Sequence, residues 1–241
     1  MNVPAPKFQA HNIRLADGER TNLELPPIER QPWVTSACDL LDLMLPIRDG
    51  LRVADLGCLE GGYAVEFARR FRLMEIVGLE VRDSNFACCQ YARDRVQLPN
   101  LKFVQDNAWN LAAHGQFDAI FCGGLLYHLD RPREFLKLLS EHCRVLVLNT
   151  HFATDQPHVK HTLSDIVHHE GLLGRWYREF GNDADFAARE NFPWSSWDNR
   201  RSFWIHRRAI GPALRDAGFR MILEHTEIDC GDDRGVFVAI K

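Results

Sequence analysis

Residues 53–62 read VADLGCLEGG and combine the end of an apolar run with a cluster of glycines. The run covers 51–56, Gly57, Gly61 and Gly62 form the cluster, and a helical segment follows directly. A glycine-rich turn lets the backbone approach a ligand closely, and the N-terminus of the next helix offers free N–H groups to anionic or polar atoms. This arrangement is typical of nucleotide-binding α/β folds.

On both sides of this turn, short apolar runs alternate with helical segments. Five buried strands are predicted, at 51–56, 75–80, 101–105, 117–122 and 144–150. Continuous apolar strands with helices between them indicate a parallel sheet covered on both faces. Two further runs, 220–228 and 235–241, are joined by a short Gly/Asp turn and predict an antiparallel hairpin. The predicted fold is therefore a doubly wound α/β domain with a seven-stranded, Rossmann-like sheet and an antiparallel last strand.

The predicted domain, 34–241, is preceded by an N-terminal arm, 1–33. Alternating residues around Asp17-Gly18 predict a β-hairpin in this arm. Ser36 with Asp39 resembles a capping box and predicts the start of a helix that ends at Pro46. The strand–helix rhythm stops at about residue 150, so residues 151–204 are interpreted as an insertion in this domain.

Composition narrows the class of protein. The 241 residues are 46% hydrophobic and 26% charged, as in globular proteins, and no apolar run approaches the roughly 20 residues of a membrane span. The N-terminal residues show no apolar signal core, so a cytoplasmic protein is expected. The net charge of −4 gives no global attraction to nucleic acid, although Arg200, Arg201, Arg207 and Arg208 form a local basic stretch. Seven cysteines without CxxC spacing predict buried free thiols.

Polar residues end two further strands. Glu80 ends the second strand, where a carboxylate can accept hydrogen bonds from the hydroxyls of a ribose. Asp106 follows the third strand, and Asn107 is placed to hydrogen-bond an adenine edge.

Together these residues resemble the class I S-adenosylmethionine-dependent methyltransferases. Asp55, Gly57 and Gly61 match the family's acidic-x-Gly-x-Gly motif, FDAIFCGGLLYHL (117–129) matches its fourth-strand motif, and the final hairpin matches its antiparallel seventh strand. The resemblance covers about 40–150 and 207–241 and implies S-adenosylmethionine as cofactor. The implied cofactor-binding residues are Asp55, Gly57, Cys58, Leu59, Gly61, Glu80, Val81, Asp106, Asn107, Ala108 and Gly123.

One residue departs from the family pattern. Leu59 stands where the motif has its second glycine, which predicts a somewhat different path for the loop. The competing class, nicotinamide-binding Rossmann domains, requires GxGxxG, and the run GCLEGG (57–62) does not have that spacing.

Two histidines are candidate general bases for an acceptor hydroxyl. His128 follows the fourth strand, at the sheet edge where ligands collect in such folds, and histidine as a residue type has a pKa near 6.5 that suits proton removal. The alternative is that His128 only packs against the next helix. His151, directly after the fifth strand, is the second candidate. Tyr127 either contacts acceptor or cofactor or forms a wall of the pocket.

The resemblance implies that the 151–204 insertion forms the pocket for the methyl acceptor. This insertion holds four of the six tryptophans and five of the eleven histidines. Such side chains stack on sugar or aromatic rings, so Tyr127, Trp194, Trp197 and Trp204 are predicted to contact the acceptor. The alternative is that these rings form a small core under a long loop. His158-x-x-His161 and His168-His169-Glu170 lack a closing ligand set, so no metal site is predicted.

The motif GLLYHLDRP (124–132) and the run 197–219 resemble the tRNA wobble-uridine carboxymethyltransferases and bacterial methyltransferases that act on sugars or other small metabolites. In the first group a tyrosine at the position of Tyr127 contacts an extra carboxylate of the cofactor.

The favoured function is O-methylation of a small molecule, such as a sugar or glycan precursor. The alternatives are tRNA modification and a non-catalytic cofactor-binding regulator. No membrane partner is expected, a nucleic acid is disfavoured, and the oligomeric state stays open, a homodimer included.

Overall fold

The computed structural model describes residues 5–46, 49–225 and 233–241. The chain divides into two compact units. The first comprises Met1–Asn110 and Gln116–Phe121, and the second comprises Leu111–Gly115 and Cys122–Lys241.

The first unit contains a parallel sheet in which β1 pairs with β2 and β4, and β2 pairs with β3. Strands β1 and β2 are buried along almost their whole length, as continuous apolar runs require. Its elements are α1 (Pro32–Met44), β1 (Arg52–Leu56), α2 (Gly62–Arg70), β2 (Glu75–Glu80), α3 (Asp83–Val96), β3 (Leu101–Gln105) and the greater part of β4 (Phe117–Gly123).

The second unit contains two groups of antiparallel strands. Strand β10 pairs with both β5 and β9, while β7 pairs with β6 and β8 in a separate three-stranded sheet. Its elements are α4 (Pro132–His142), β5 (Cys143–His151), β6 (Val167–His169), β7 (Leu172–Arg178), α5 (Asp183–Ala187), β8 (Arg201–Ile205), α6 (Arg207–Ala217), β9 (Met221–His225) and β10 (Arg234–Ile240).

The larger sheet has seven strands in the order β3-β2-β1-β4-β5-β10-β9. The first four are mutually parallel where their pairing is described, and the last strand, β10, is antiparallel to its neighbours. The predicted doubly wound α/β fold with an antiparallel last strand is thereby confirmed. The predicted boundary between residues 33 and 34 stays a prediction.

The structure differs from the sequence-based expectation at three places. The arm hairpin reduces to one antiparallel bridge, between Arg14 and Arg20. Helix α1 begins at Pro32 rather than near Ser36, because a proline fits the first turn of a helix, where its missing N–H costs nothing. The insertion showed no readable strand pattern, yet it contains β6, β7 and β8. Large polar and aromatic residues such as Trp176 and Arg178 occupy β7 and hide the alternation.

The six described cysteines are all buried and free, as predicted, while Cys230 and most of the predicted turn around it lie outside the described residues. Burial raises the pKa of Cys38 and of Cys88 to about 12, so these thiols are unreactive. Among the described residues, every helix is too short or too polar to cross a lipid bilayer.

Candidate active site

The loop between β1 and α2 has an unusual backbone. Gly57, Leu59 and Gly61 all have positive φ angles, of 65°, 55° and 81°. A Cβ atom on Gly61 would lie 2.5 Å from a ring carbon of Phe103, so this position accepts only glycine without displacing that ring. Leu59 adopts the left-handed conformation at a cost of about 1–2 kcal/mol relative to glycine. The loop therefore keeps a left-handed residue at the position where the family motif has a glycine.

Hydrogen bonds from neighbouring elements fix this loop. The Cys58 N–H donates to the carbonyl of Leu79 over 3.0 Å, and the Leu59 N–H donates to Oε2 of Glu80 over 2.9 Å. The Cys89 thiol on α3 donates to the carbonyl of Leu59. Because partners on β2 and α3 offset the backbone strain at Leu59, the loop is preorganised for close approach by a ligand.

Glu80, the last residue of β2, is 5% exposed and accepts three backbone hydrogen bonds. Besides Leu59, the N–H groups of Val81 and Arg82 donate to its Oε1 over 2.9 and 2.8 Å. Burial raises the pKa of Glu80, and the N–H donors oppose that rise. A carboxylate has about four lone-pair directions, so about one remains for a further donor such as a ribose hydroxyl.

Asp55 on β1 is 2% exposed, and one of its oxygens accepts a hydrogen bond from the backbone of Ala64 in α2. Its Oδ2 has no hydrogen-bond partner among the described residues. Burial raises the pKa of Asp55 to about 8. A buried carboxyl with an unpartnered oxygen favours a ligand that brings a donor or positive charge, and S-adenosylmethionine carries both an ammonium and a sulfonium group. The residues of this site therefore fit the cofactor that the sequence implies.

Asp106 and Asn107 directly follow β3 and form a local turn. Oδ1 of Asp106 accepts from the Asn107 N–H over 2.7 Å and from the Asn110 amide over 2.6 Å, while Oδ1 of Asn107 accepts from the Trp109 N–H over 3.1 Å. These bonds fix both side chains beside the end of Glu80, whose carbonyl accepts from the Asp106 N–H. Two other predicted residues lie next to these positions in the chain: Val81 follows Glu80, and Ala108 follows Asn107.

Sequence reasoning missed a link between the glycine-rich loop and the N-terminal arm. Glu60 is 3% exposed, and its carboxylate accepts from the N–H groups of Gln9, Ala10 and His11. In return, Nδ1 of His11 accepts from the N–H of Gly62, the first residue of α2, over 3.0 Å. Through these contacts residues 9–11 of the arm pack against the glycine-rich loop and the start of α2.

The link predicts a pH dependence of stability in the acid range. Burial lowers the pKa of His11 to about 4, from an ordinary value of 6.5. The unfolded chain therefore takes up a proton at a pH where folded His11 stays neutral, so its contribution to stability is complete above about pH 6.5 and is lost as pH falls toward 4. The free energy of unfolding should fall more steeply over this range in the wild type than in His11→Asn.

Urea unfolding of both proteins across this pH range is the measurement. Burial also raises the pKa of the neighbouring Glu60, and that effect is common to both proteins, so their difference isolates His11. A constant difference between pH 6.5 and 4 would contradict the prediction.

In the second unit, His128 is bound to a buried carboxylate. It lies in the 3-10 turn Leu126–His128 after β4, and its Nδ1 is 2.9 Å from Oε1 of Glu179. The Glu179 side chain is 1% exposed and that of His128 is 15% exposed. Oε1 of Glu179 also accepts from the Ser202 hydroxyl over 2.6 Å, and Oε2 accepts from the Ser196 N–H over 3.0 Å. Two further donors, the Ser202 hydroxyl and the Ser196 N–H, thus fix the carboxylate that orients His128.

Glu179 could not be found from the sequence. It lies 51 residues from His128 and follows β7, a strand that the sequence did not reveal. Its neighbours in sequence carry no motif. Only the folding of the insertion brings it to the candidate base.

The other predicted residues of this unit divide into two groups. Rings of Tyr127, His151 and Trp204 are in mutual contact: His151 stacks on Trp204 at 5.0 Å, and Tyr127 meets His151 edge-on at 4.6 Å. Trp204 is 1% exposed. Trp194 is 62% exposed, and the guanidinium of Arg189 lies over the ring of Trp197. The ring contacts described for this cluster include neither of these two tryptophans. Gly123 is the last residue of β4 and belongs to the second unit.

Comparisons with known proteins agree with the fold and the motifs. A family model for a methyltransferase domain matches residues 29–224. The chain is 35% identical over 125 residues to trans-aconitate 2-methyltransferase of Deinococcus radiodurans, covering 51% of this chain and 46% of that protein. It is 27% identical over 194 residues to the tRNA U34 carboxymethyltransferase of Helicobacter hepaticus, covering 72% of this chain and 61% of that protein. The matched part thus spans about half of the length of these relatives.

Solved structures share the fold at low sequence identity. The N-terminal domain of EvdMO1, solved with SAH bound, has a TM-score of 0.70 at 22% identity, covering 88% of this chain and 82% of that one. The magnesium protoporphyrin IX methyltransferase of Synechocystis PCC 6803, solved with SAM bound, has a TM-score of 0.58 at 16% identity, covering 87% and 78%. From its motifs, its fold and the match over residues 29–224, the chain belongs to the family of S-adenosylmethionine-dependent methyltransferase domains.

Proposed function

We propose that this protein transfers a methyl group from S-adenosylmethionine to a hydroxyl of a small-molecule acceptor, with His128 as general base. The observation that carries the proposal is the pairing of His128 with the buried carboxylate of Glu179. A histidine held by an otherwise enclosed carboxylate suits general-base chemistry, because the carboxylate orients the ring and stabilises the imidazolium that forms. A histidine that only packs against a helix would not need this partner.

The proposed roles follow from the hydrogen bond between the two side chains. An ionised carboxylate can only accept, so Nδ1–H of His128 donates to Glu179 and Nε2 is left with its lone pair. Nε2 then takes the proton of the acceptor hydroxyl, and Glu179 stabilises the imidazolium that results. His151 remains the second candidate for this role, with its ring stacked on Trp204.

The cofactor would be held by residues of the first unit. Asp55 and Glu80 offer carboxyl oxygens, the 57–61 loop offers backbone groups, and Asp106 and Asn107 follow β3 for the adenine end. When bound, S-adenosylmethionine supplies an electrophilic methyl group on sulfur. The protein's own contribution is to orient the acceptor, exclude water and receive the proton.

A small acceptor is supported by the half-buried ring of Tyr127, which lies beside His128 and packs edge-on against His151, while Trp204 is enclosed by other rings. Relatives with small substrates add support, since the Deinococcus radiodurans protein is named for trans-aconitate. The EvdMO1 domain was also crystallised in the presence of SAH and D-fucose, which makes sugars worth testing. We place the protein in a reducing compartment such as the cytoplasm, which its buried free thiols support.

A screen with radiolabelled S-adenosylmethionine tests this function directly. Pools of sugars, sugar phosphates, organic acids and phenols, and a separate sample of tRNA, are incubated with the wild type and with His128→Ala, and methylated products are separated and identified. We expect at least one small hydroxyl compound to be labelled by the wild type and far less by the variant. Labelling confined to RNA would reject the small-molecule proposal.

Modification of tRNA is the second candidate, favoured by the match to the Helicobacter hepaticus enzyme over 72% of this chain. An enzyme that neutralises several phosphates should lose about 10³-fold or more in affinity between about 50 and 200 mM salt. With a net charge of −4, we expect no measurable tRNA binding at about 150 mM salt in a filter-binding assay. Submicromolar binding under those conditions would transfer the proposal to tRNA.

A further inference from the structure

Arg234 begins β10 and lies on the same face of the larger sheet as the ring of His151. In the antiparallel pairing of β10 with β5, Arg234 is directly opposite His151. Residues directly opposite each other in such a pair point to one face of the sheet, and so do residues two apart in one strand. Arg234, His151 and Asn149 therefore share a face at the end of β5.

The guanidinium of Arg234 is held in a defined orientation. Its Nε donates to Oδ1 of Asn149, a residue that is 5% exposed. Its Cζ lies 6.0 Å from the ring centre of Tyr127, within the range of a cation–π contact. Because an enclosed amide and an aromatic ring orient this guanidinium, it loses little side-chain freedom when a ligand binds.

Arg234 and the hydroxyl of Tyr127 border the same space beside Gly124. Gly124 follows β4 with a φ angle of 78°, and a Cβ atom placed on it would lie 3.7 Å from Nη2 of Arg234 and 3.7 Å from the hydroxyl oxygen of Tyr127. A guanidinium and a phenol hydroxyl that border one space can both donate hydrogen bonds to a single carboxylate or phosphate.

Tyr127 connects these two donors to the candidate base. The ring centres of Tyr127 and His128 are 4.2 Å apart, and all of these residues belong to the second unit. Tyr127 and Arg234 are both half-buried, so a ligand can reach them from solvent. The Tyr127 side chain thus adjoins the proposed proton acceptor with its ring and adjoins Arg234 with its hydroxyl.

We propose that Arg234 and the Tyr127 hydroxyl bind a carboxylate or phosphate of the methyl acceptor, so that the acceptor is a small hydroxyl compound with an anionic group. The inference rests on the proposed function, because it names the substrate class of that function. Arg234 binds the anionic oxygens and determines specificity, the ring of Tyr127 contacts the body of the acceptor, and His128 meets its hydroxyl. Hydroxy acids and sugar phosphates have this combination of groups.

Calorimetry on the whole protein with saturating S-adenosylhomocysteine tests these donors without any methyl transfer. Citrate and glucose 6-phosphate are the anionic probes, and glucose is the neutral counterpart. We expect at least one anionic probe to bind the wild type more tightly than glucose does. Arg234→Gln should weaken that binding about tenfold or more, and Tyr127→Phe, which removes only the hydroxyl, should weaken it about threefold or more.

Two further variants separate charge at this position from a general effect of charge or folding. Arg234→Lys keeps the positive charge without the planar fork and should retain more affinity than Arg234→Gln. Arg144→Gln removes an exposed arginine at the other end of β5 and should bind the probes as the wild type does. Affinity for S-adenosylhomocysteine should stay near that of the wild type in every variant.

Binding of neither anionic probe would overturn the proposal, and so would binding that Arg234→Gln and Tyr127→Phe both leave unchanged. An equal loss of affinity for S-adenosylhomocysteine in Arg234→Gln would also overturn it, since the arginine would then serve the cofactor. The acceptor screen separates this inference from the proposed function. Labelling of neutral sugars alone would retain methyl transfer and reject the anionic acceptor, whereas probe binding that depends on Arg234 without any labelled small molecule would retain the anion site and reject the function.

Discussion

The variant His128→Ala should lower kcat by about 10²–10⁴-fold and leave the affinity for S-adenosylmethionine nearly unchanged. Its imidazole belongs to the second unit, whereas the carboxyls and the glycine-rich loop that fit the cofactor belong to the first. Loss of the base therefore removes a contact made in the transition state and spares the contacts that bind the cofactor. Turnover at saturating cofactor and calorimetric cofactor binding are the two measurements.

Glu179 separates a catalytic from a packing role for His128. In Glu179→Gln the side-chain amide can donate to Nδ1, which favours the wrong tautomer and places the proton on Nε2. We therefore expect a loss of kcat comparable to that of His128→Ala, a shifted pH profile, and a double variant no worse than either single one. If His128 only packs, Glu179→Gln should change stability and leave the pH profile in place.

Two controls complete this experiment. His142→Ala removes a histidine of α4 whose Nδ1 binds a carbonyl of its own helix, so turnover should stay near that of the wild type. His151→Ala tests the second candidate base. Near-normal turnover in His128→Ala combined with its loss in His151→Ala would move the base to the end of β5. Normal turnover in both would mean that orientation and desolvation suffice.

Elements governed by local pattern were predictable in both units. Strand β2 was predicted at 75–80 and occurs there, because a continuous apolar run between polar flanks has few alternatives in a parallel sheet. Helix α4 begins at Pro132 as predicted, since proline is preorganised for a first turn. The predicted start of α1 was wrong. Ser36 resembles a helix cap, but Pro32 fits the first turn of a helix and the helix begins there.

Features that depend on long-range pairing could not be predicted. Glu60 meets Gln9 and His11 across about 50 residues, and Glu179 meets His128 across 51. A carboxylate that binds backbone N–H groups carries no signature in its own neighbours, and only the assembled fold identifies its partner. The sequence therefore predicted the candidate site residues that lie at the ends of strands. It did not predict Glu60 and Glu179, the carboxylates that hold other parts of the site in place.

The variant Glu80→Ala should weaken S-adenosylmethionine binding by about 10- to 150-fold. The one lone-pair direction of this carboxylate that remains after its three backbone bonds can accept a charge-assisted hydrogen bond from a ribose hydroxyl, and such a bond contributes about 1.5–3 kcal/mol. Removal of the carboxylate also frees the Leu59 N–H, so the strained loop can relax away from its ligand-ready shape. Both effects reduce cofactor affinity in the same direction.

Because Glu80→Ala leaves three N–H groups without their acceptor, Glu80→Gln provides a milder test. The amide keeps one acceptor oxygen and the side-chain shape but lacks the charge, so cofactor affinity should fall less than in Glu80→Ala. Glu75→Gln is the matched control, since Glu75 begins the same strand and pairs with Arg52 at its partly exposed end. Calorimetry with S-adenosylmethionine on variants that melt cooperatively measures the effect. An unchanged Kd in both Glu80 variants would remove Glu80 from the cofactor site, and a loss equal in Glu75→Gln would show that stability of the strand, rather than contact with the cofactor, sets the affinity.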